Sequence, residues 1–185
     1  MHEPKKTALV VIANGSESLE TVTIINILRR ASVDVTVAAV GDALTVIGTR
    51  DILLLATVRH TDVAHQHFDL IALPGGEAGA KTLSSHPPLI QQLRDQRLAH
   101  RWTAALCAAP ALVLAAHGLL DGKQATGYPA FREALLHYVD LPVVVDGHTI
   151  TGQGPASAMA FSLACVEKLL GAPRRREVAE ALLAS

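Results

Sequence analysis

The chain has 185 residues, of which 50% are hydrophobic, 18% are charged and only 3% are aromatic, and its net charge is −1. This balance excludes a disordered chain, and the scarcity of aromatic side chains argues against a surface that stacks nucleic-acid bases. The longest apolar run, residues 104–116, contains Pro110 and is too short to span a bilayer. We therefore expect one soluble domain over residues 1–185, with no membrane partner and no sequence-specific nucleic-acid partner.

The predicted elements alternate between strand and helix. In chain order they are a strand at 7–13, a helix at 17–32, a strand at 33–40, an antiparallel excursion at 44–47 and 52–55, a strand at 70–73, a helix at 88–98, a strand at 102–106 and a helix at 108–117. Short strands at 124–128, 143–145 and 148–151, with a small helix at 130–138, precede helices at 156–170 and 173–184. This order predicts a doubly wound, mostly parallel sheet, with its sites beyond the carboxyl ends of the strands.

Cys107 lies where a predicted strand passes directly into a helix, with Ala105 and Ala109 two residues away on either side. Small residues there permit a sharp turn that strains the nucleophile's backbone and exposes its side chain. A helix N-terminus lowers the pKa of a thiol from about 8.5 to about 3.5–7.5. The alternative is a small packed residue in an alanine-rich strand, and the local pattern does not decide between the two. Cys165, inside a helix, is predicted to be a packed core thiol.

Two further loops carry candidate groups. Gly75 and Gly76 follow a buried strand, where backbone N–H groups can form an oxyanion site, although paired glycines are also ordinary turn residues. Glu17 and Glu20 open a helix, where the helix dipole alone favours carboxylates. If Glu20 points inward, it can reach Cys107 and act as a general acid or base.

The remaining clues concern metals and cellular compartment. His60, His65 and His67 are interpreted as part of a polar connecting segment, so no metal site is expected. The two cysteines form neither a CxxC motif nor a disulfide framework, which is typical of a protein from the reducing cytoplasm.

Three separated motifs together resemble the ThiJ/PfpI superfamily, and most closely its YajL-like branch. They are residues 14–21 (NGSESLET), 73–76 (LPGG) and 104–110 (AALCAAP), and the resemblance runs in order through almost the whole chain. It implies a flavodoxin-like α/β fold, a three-layer sandwich with a mostly parallel central sheet, and a homodimer without a cofactor. It also implies these roles: Cys107 as nucleophile and redox-sensitive thiol, Glu20 as acid/base, Gly75, Gly76 and Ala108 as backbone donors, Asn14, Tyr128, Gly154 and Pro155 around the pocket, and Arg30 and Arg50 near the site and the dimer contact.

The resemblance also implies a function. It points to cofactor-independent conversion of methylglyoxal or glyoxal to a hydroxy acid, or to deglycation of early glycated protein or nucleotide adducts, in protection against oxidative and carbonyl stress. The expected partners are small aldehydes or glycated proteins. The alternatives are a redox-sensing chaperone dimer with an oxidisable Cys107, and a scaffold with a vestigial site. A protease is disfavoured because Ala108 stands where the family's proteases carry histidine. Tyr128 replaces the histidine of the animal branch, so a histidine base is missing there as well.

Overall fold

The computed structural model describes residues 5–184, which are organised around a seven-stranded sheet. The strands are β1 (Thr7–Ile12), β2 (Asp34–Ala39), β3 (Thr45–Ile47), β4 (Leu53–Leu55), β5 (Val58–Arg59), β6 (Leu70–Leu73), β7 (Trp102–Leu106), β8 (Val143–Asp146) and β9 (Thr149–Gly152). The α-helices are α1 (Ser18–Arg30), α2 (His60–Val63), α3 (Glu77–Ser84), α4 (Pro87–Leu98), α5 (Ala158–Leu170) and α6 (Ala172–Ala181). The sheet order is β5-β2-β1-β6-β7-β9-β8, while β3 and β4 form a separate hairpin.

The sheet is parallel except for its last strand, β8, which pairs antiparallel with β9. Every residue of β1 after Thr7 is completely buried, so both faces of this strand are covered. A continuous apolar run of this kind is typical of a parallel strand between two layers of helices. The predicted flavodoxin-like sandwich with a mostly parallel sheet is confirmed.

The chain order creates a crevice beside the first strand. From β1 the chain moves outward to β2, and it then returns to place β6 on the other side of β1. Such a reversal leaves the loops after the two central strands diverging at the carboxyl edge, where ligands bind in doubly wound sheets. The loop at residues 13–17 and the loop at residues 74–76 meet there, and Cys107 follows the neighbouring strand β7.

Several predicted elements differ from the observed ones. Residues 124–128 join no sheet, since only Ala125 makes an isolated bridge, to Tyr138. The predicted helix at 130–138 is a 3-10 turn, Pro129–Ala134, and the predicted helix at 108–117 is a π-type turn, Pro110–Leu114, followed by a 3-10 turn, Ala115–His117.

The strand β5 and the helices α2 and α3 were missing from the sequence prediction. Helix α3 follows Gly76 without a side-chain cap and contains Gly79, so it lacks the usual signals of a helix start. A side chain at Gly79 would come within 2.6 Å of the backbone nitrogen of Ser16, which explains why glycine stands there. Within residues 5–184, no helix combines the length and the apolar character that crossing a bilayer requires.

Candidate active site

Cys107 occupies the predicted sharp turn between β7 and the following helical segment. Its backbone φ is 61°, a left-handed value that is strained for a residue with a side chain. The turn is fixed on both sides, because the Cys107 N–H donates to Gly152 O at 3.0 Å and the Tyr128 N–H donates to Cys107 O at 2.7 Å. The side chain is only 8% exposed, so the expectation of an exposed thiol is wrong.

Glu20 points inward from the first turn of α1 and is completely buried. Its Oε2 atom accepts a hydrogen bond of 2.6 Å from the Gly75 N–H, and its carboxyl lies beside the Cys107 thiol, with Gly75 between them. Burial raises the pKa of Glu20 from 4.5 to about 7, although the Gly75 N–H and the neighbouring Cys107 thiol favour the charged form. A carboxyl with this pKa can gain or lose a proton at neutral pH.

The expected low pKa of the Cys107 thiol is not found. Burial, followed by the negative charge of Glu20, raises this pKa from 9.0 to about 12. The backbone N–H groups of Gly76 and Ala108 hydrogen-bond the sulfur and favour the thiolate, but they do not outweigh these two effects. The position of Cys107 before a helical segment therefore did not predict the pKa of its thiol. Glu20, rather than Cys107, is the group whose pKa lies near neutrality.

The two glycines of the second loop have different roles. In this structure the Gly75 N–H donates to Glu20, whereas the Gly76 N–H reaches the sulfur, so the predicted donor roles of both glycines stay predictions. A Cβ atom on Gly75 would lie 2.5 Å from Cys107 Cβ and 2.8 Å from Glu20 Oε2. Only glycine therefore lets the thiol and the carboxyl meet. Gly76 has a φ of 85° and packs against the backbone of Gly15, which binds the first and second loops together.

A cavity of about 430 Å³ lies beside the loop that holds the Cys107 carbonyl. It is lined by three of the predicted pocket residues, Tyr128, Gly154 and Pro155. The fourth, Asn14, is used elsewhere, since its Oδ1 accepts the Ile47 N–H of the hairpin at 2.9 Å.

Thr126, which lies in the same loop as Tyr128, was not among the predicted site residues. Its hydroxyl is buried without a hydrogen-bond partner among the described residues, as is Oε1 of Glu20. A threonine followed by glycine is an ordinary loop sequence, so no pattern could have identified this hydroxyl.

Comparison with known proteins shows the family to which the chain belongs. The model of the "DJ-1/PfpI family" matches residues 6–168, which is most of the chain. The chain belongs to the DJ-1/PfpI family. The resemblance noted in the three sequence motifs is thereby confirmed.

Individual DJ-1/PfpI relatives cover the chain almost completely. The "Protein DJ-1 homolog B" of Arabidopsis thaliana is 41% identical over 95% of this chain, which spans only 40% of that protein's length. The "Glutathione-independent glyoxalase DJ-1" of Schizosaccharomyces pombe is 30% identical over 92% of this chain and 95% of its own. The solved structure "Toxoplasma gondii DJ-1, oxidized" is 35% identical, covers 97% of this chain and 99% of its own, and superposes with a TM-score of 0.96.

Neither predicted arginine contributes to the contacts around Cys107 in this family member. Arg30 ends α1, is exposed and donates to Asn26 Oδ1 at 2.8 Å. Arg50 is exposed in the turn between β3 and β4, with a left-handed φ of 58°. Arg50 follows Thr49, which hydrogen-bonds to Ser18 at the start of α1, whereas Arg30 lies at the far end of that helix.

His60, which follows β5, and His86 form a hydrogen-bonded pair that is buried on the His60 side. His60 is completely buried, with Nδ1 3.0 Å from His86 Nε2 and Nε2 3.0 Å from Gln92 Oε1. Burial lowers the pKa values of both His60 and His86. Among the described residues, no three potential ligand side chains are grouped in a way that could hold a metal ion.

Proposed function

We propose that this protein is a cofactor-independent, cysteine-dependent enzyme that acts on reactive carbonyls, with methylglyoxal or glyoxal as substrate. The observation that carries the proposal is the buried pair of Cys107 and Glu20, in which a carboxyl with a pKa of about 7 lies beside a thiol. The relative from S. pombe whose name describes a glutathione-independent glyoxalase supports the same chemistry.

In the first step, the Cys107 sulfur forms a bond to the aldehyde carbon of methylglyoxal while the ionised Glu20 carboxylate accepts the thiol proton. This transfer needs no preformed thiolate, because the carboxylate is positioned at the thiol as a general base. The N–H groups of Gly76 and Ala108, which point at the sulfur, would stabilise the oxyanion that develops on the carbon bonded to it. Glu20 then returns the proton to that oxygen and gives a neutral hemithioacetal.

The second stage is an internal redox change followed by hydrolysis. Glu20 removes the hydrogen of the hemithioacetal carbon as a proton and delivers it to the adjacent carbon, so that one carbon is oxidised to a thioester as its neighbour is reduced to an alcohol. Water then cleaves the thioester, releasing lactate and restoring the Cys107 thiol. Early glycation adducts contain the same carbonyl fragment on an amine or thiol, so deglycation of proteins or nucleotides would use the same two groups.

The decisive experiment compares two buried cysteines. Cys107→Ala should reduce kcat/KM for methylglyoxal by at least about a thousandfold, the scale of losing a covalent nucleophile. Cys165→Ala, the matched control, should retain near wild-type activity because Cys165 lies inside α5. In the wild-type protein, kcat/KM should rise with pH through about 7 as Glu20 ionises, and Glu20→Gln should lose this rise. Consumption of methylglyoxal by Cys107→Ala at the wild-type rate would refute the proposal.

A second candidate function, a redox sensor that controls chaperone activity, rests on the donors around the sulfur. A thiolate that attacks peroxide forms a sulfenate and releases water, and a second peroxide gives a sulfinate. The N–H groups of Gly76 and Ala108 could hold those oxygens, and the T. gondii relative was solved in an oxidised form. Intact-mass analysis after peroxide should show two added oxygen atoms that disappear in Cys107→Ser. Holdase activity that persists unchanged in Cys107→Ser would separate chaperoning from this cysteine.

The homodimer is proposed from exposed apolar side chains on adjoining elements. Leu53 and Leu55 on the hairpin are 68% and 74% exposed, and Leu19 on α1 is 54% exposed. The two elements are joined, because the Ser18 hydroxyl donates to Thr49 O at 3.1 Å. Exposed apolar side chains on two joined elements suit a second copy of the chain. Sedimentation analysis should find a dimer that Leu53→Glu dissociates and that the distant control Leu136→Glu does not.

A further inference from the structure

A second cavity lies at the opposite end of the sheet from Cys107. Its volume is about 420 Å³, within the range of about 300–1,000 Å³ that is usual for small-molecule sites. Thr103 and Thr149 at the amino ends of β7 and β9 line it, whereas Cys107 follows the carboxyl end of β7. The length of β7, roughly 13 Å, separates the two sites. The second cavity is therefore independent of the carbonyl chemistry proposed above.

Three cationic side chains line this cavity: Arg97, Arg101 and Lys123. Among the described residues, none of them forms an ion pair with a carboxylate. Their hydrogen bonds go to neutral groups, since Arg97 and Lys123 donate to backbone carbonyl oxygens and Arg101 donates to Gln96 Oε1 at 2.9 Å. Asp121 is the one carboxylate among the lining residues, so positive charge predominates around the space.

The rest of the wall is apolar or planar. Leu93, Leu114 and Leu119 contribute aliphatic surface. His100 and His148 also line the cavity, and their imidazole centroids are 5.7 Å apart. The cavity thus combines cationic hydrogen-bond donors with surfaces that suit a flat or aliphatic group.

We propose that this cavity binds a small molecule that carries a phosphate group on an apolar or aromatic body. Two guanidinium groups and one ammonium group supply more charge than a single carboxylate would neutralise, and they match the several oxygens of a phosphate dianion. The leucine side chains and the imidazole rings would cover the attached body.

The single tryptophan of the chain provides the readout. The Trp102 ring lies 5.0 Å, between centroids, from the His148 ring that lines the cavity. The protein is titrated with phenyl phosphate. Inorganic phosphate is the control that lacks the aromatic group, and benzyl alcohol is the control that lacks the phosphate. Trp102 fluorescence and calorimetry should both show saturable binding of phenyl phosphate, about tenfold tighter than inorganic phosphate, and no saturation by benzyl alcohol.

Substitutions of the cavity's cationic residues test whether phenyl phosphate binds in this cavity. Lys123→Met and Arg101→Gln should each weaken phenyl phosphate binding about tenfold, the scale of one lost charge-assisted hydrogen bond. Arg176→Gln, an exposed arginine of α6, is the matched control and should bind as the wild type does. Cys107→Ala should also bind normally, which keeps this test separate from the fate of the proposed enzyme activity.

Three results would overturn the proposal. Absence of saturable phenyl phosphate binding would remove the site, and equal binding of benzyl alcohol would show an apolar crevice without anion recognition. Unchanged affinity in both Lys123→Met and Arg101→Gln, with far-ultraviolet circular dichroism showing that both variants are folded, would place any binding elsewhere on the molecule.

Discussion

Cys107 and Cys165 are both buried thiols, and burial raises the pKa of each. Cys165 sits in regular helix α5 and is fully enclosed by the core. Cys107 instead has a strained backbone, two N–H groups directed at its sulfur and the carboxyl of Glu20 beside it. Burial therefore does not distinguish a packing cysteine from a candidate nucleophile. The distinction lies in the groups that can receive the thiol proton and stabilise a charge on sulfur.

The proton of the Cys107 site is shared between two groups. When Glu20 is ionised, its negative charge raises the pKa of Cys107 and keeps the proton on the thiol. When Glu20 is protonated, this electrostatic penalty on the thiolate disappears. Cys165 has no such carboxyl among the causes of its pKa shift, so its protonation depends on burial. The comparison predicts that substitutions near Glu20 will strongly change the pKa and reactivity of Cys107 and will change those of Cys165 very little.

The largest effect is expected from Gly75→Ala. The added Cβ would lie 3.0 Å from Cys107 Sγ and 2.8 Å from Glu20 Oε2, so the thiol and the carboxyl must move apart. A displacement of about 1 Å can reduce catalysis about a hundredfold, and we expect at least that loss in kcat/KM for methylglyoxal. Steady-state kinetics and urea unfolding should be measured together, because the crowding also destabilises the fold.

Gly41→Ala is the control for that loss. Its added Cβ would meet no atom within 4 Å, so the cost is confined to backbone strain at a φ of 120° in the exposed turn after β2. This variant should lose a little stability in urea unfolding and keep a kcat/KM close to that of the wild type. Wild-type kinetics in Gly75→Ala would mean that the contact between thiol and carboxyl is dispensable.

The second effect concerns stability and pH. The pKa of Glu20 rises from 4.5 in the unfolded chain to about 7 in the folded protein, so the folded state binds the proton more tightly between these values. Its stabilising contribution is complete below pH 4.5 and is lost as pH rises through about 7. Because each pKa unit corresponds to about 1.4 kcal/mol, the wild type should lose roughly 3 kcal/mol relative to Glu20→Gln across this range.

The histidine group acts in the opposite direction and must be separated from Glu20. The lowered pKa values of His60 and His86 stabilise the fold above pH 6.5, and this contribution is lost as pH falls below that value. Urea unfolding of the wild type, Glu20→Gln and Cys165→Ala over a pH series isolates the Glu20 contribution, since the histidines are common to all three. Cys165→Ala should follow the wild-type pH dependence. A difference between the wild type and Glu20→Gln that does not change with pH would contradict the assigned pKa.

The sequence predicted the elements whose signals are local. The apolar run at 7–13 and the small residues around Cys107 identified β1 and the sharp turn, because burial and backbone sterics act over a few residues. Helix α3 was missed because it contains Gly79, which is required by packing against Ser16, a residue far away in sequence. The direction of the Cys107 pKa was wrong for a similar reason: the carboxyl of Glu20 enters from α1, and no local pattern gives its distance from the sulfur.

The smallest effect, and the most direct test of the two-cysteine comparison, is alkylation. Glu20→Gln removes the charge that raises the pKa of Cys107, and each pKa unit changes the thiolate population tenfold. Iodoacetamide should therefore modify Cys107 at least about tenfold faster in Glu20→Gln than in the wild type, as followed by peptide mass spectrometry. Cys165 serves as the internal control and should stay unmodified in both folded proteins, because α5 and the core enclose it completely.

Glu77→Gln is the matched variant for the alkylation rates. Glu77 begins α3 directly after Gly76, but it is exposed and pairs with Lys81 at 2.6 Å, so its charge is screened by solvent. The rate at Cys107 in Glu77→Gln should equal that of the wild type. Equal rates in the wild type and Glu20→Gln would show that the carboxyl does not control the thiol, and the difference between the two cysteines would then reduce to backbone strain and the two N–H donors.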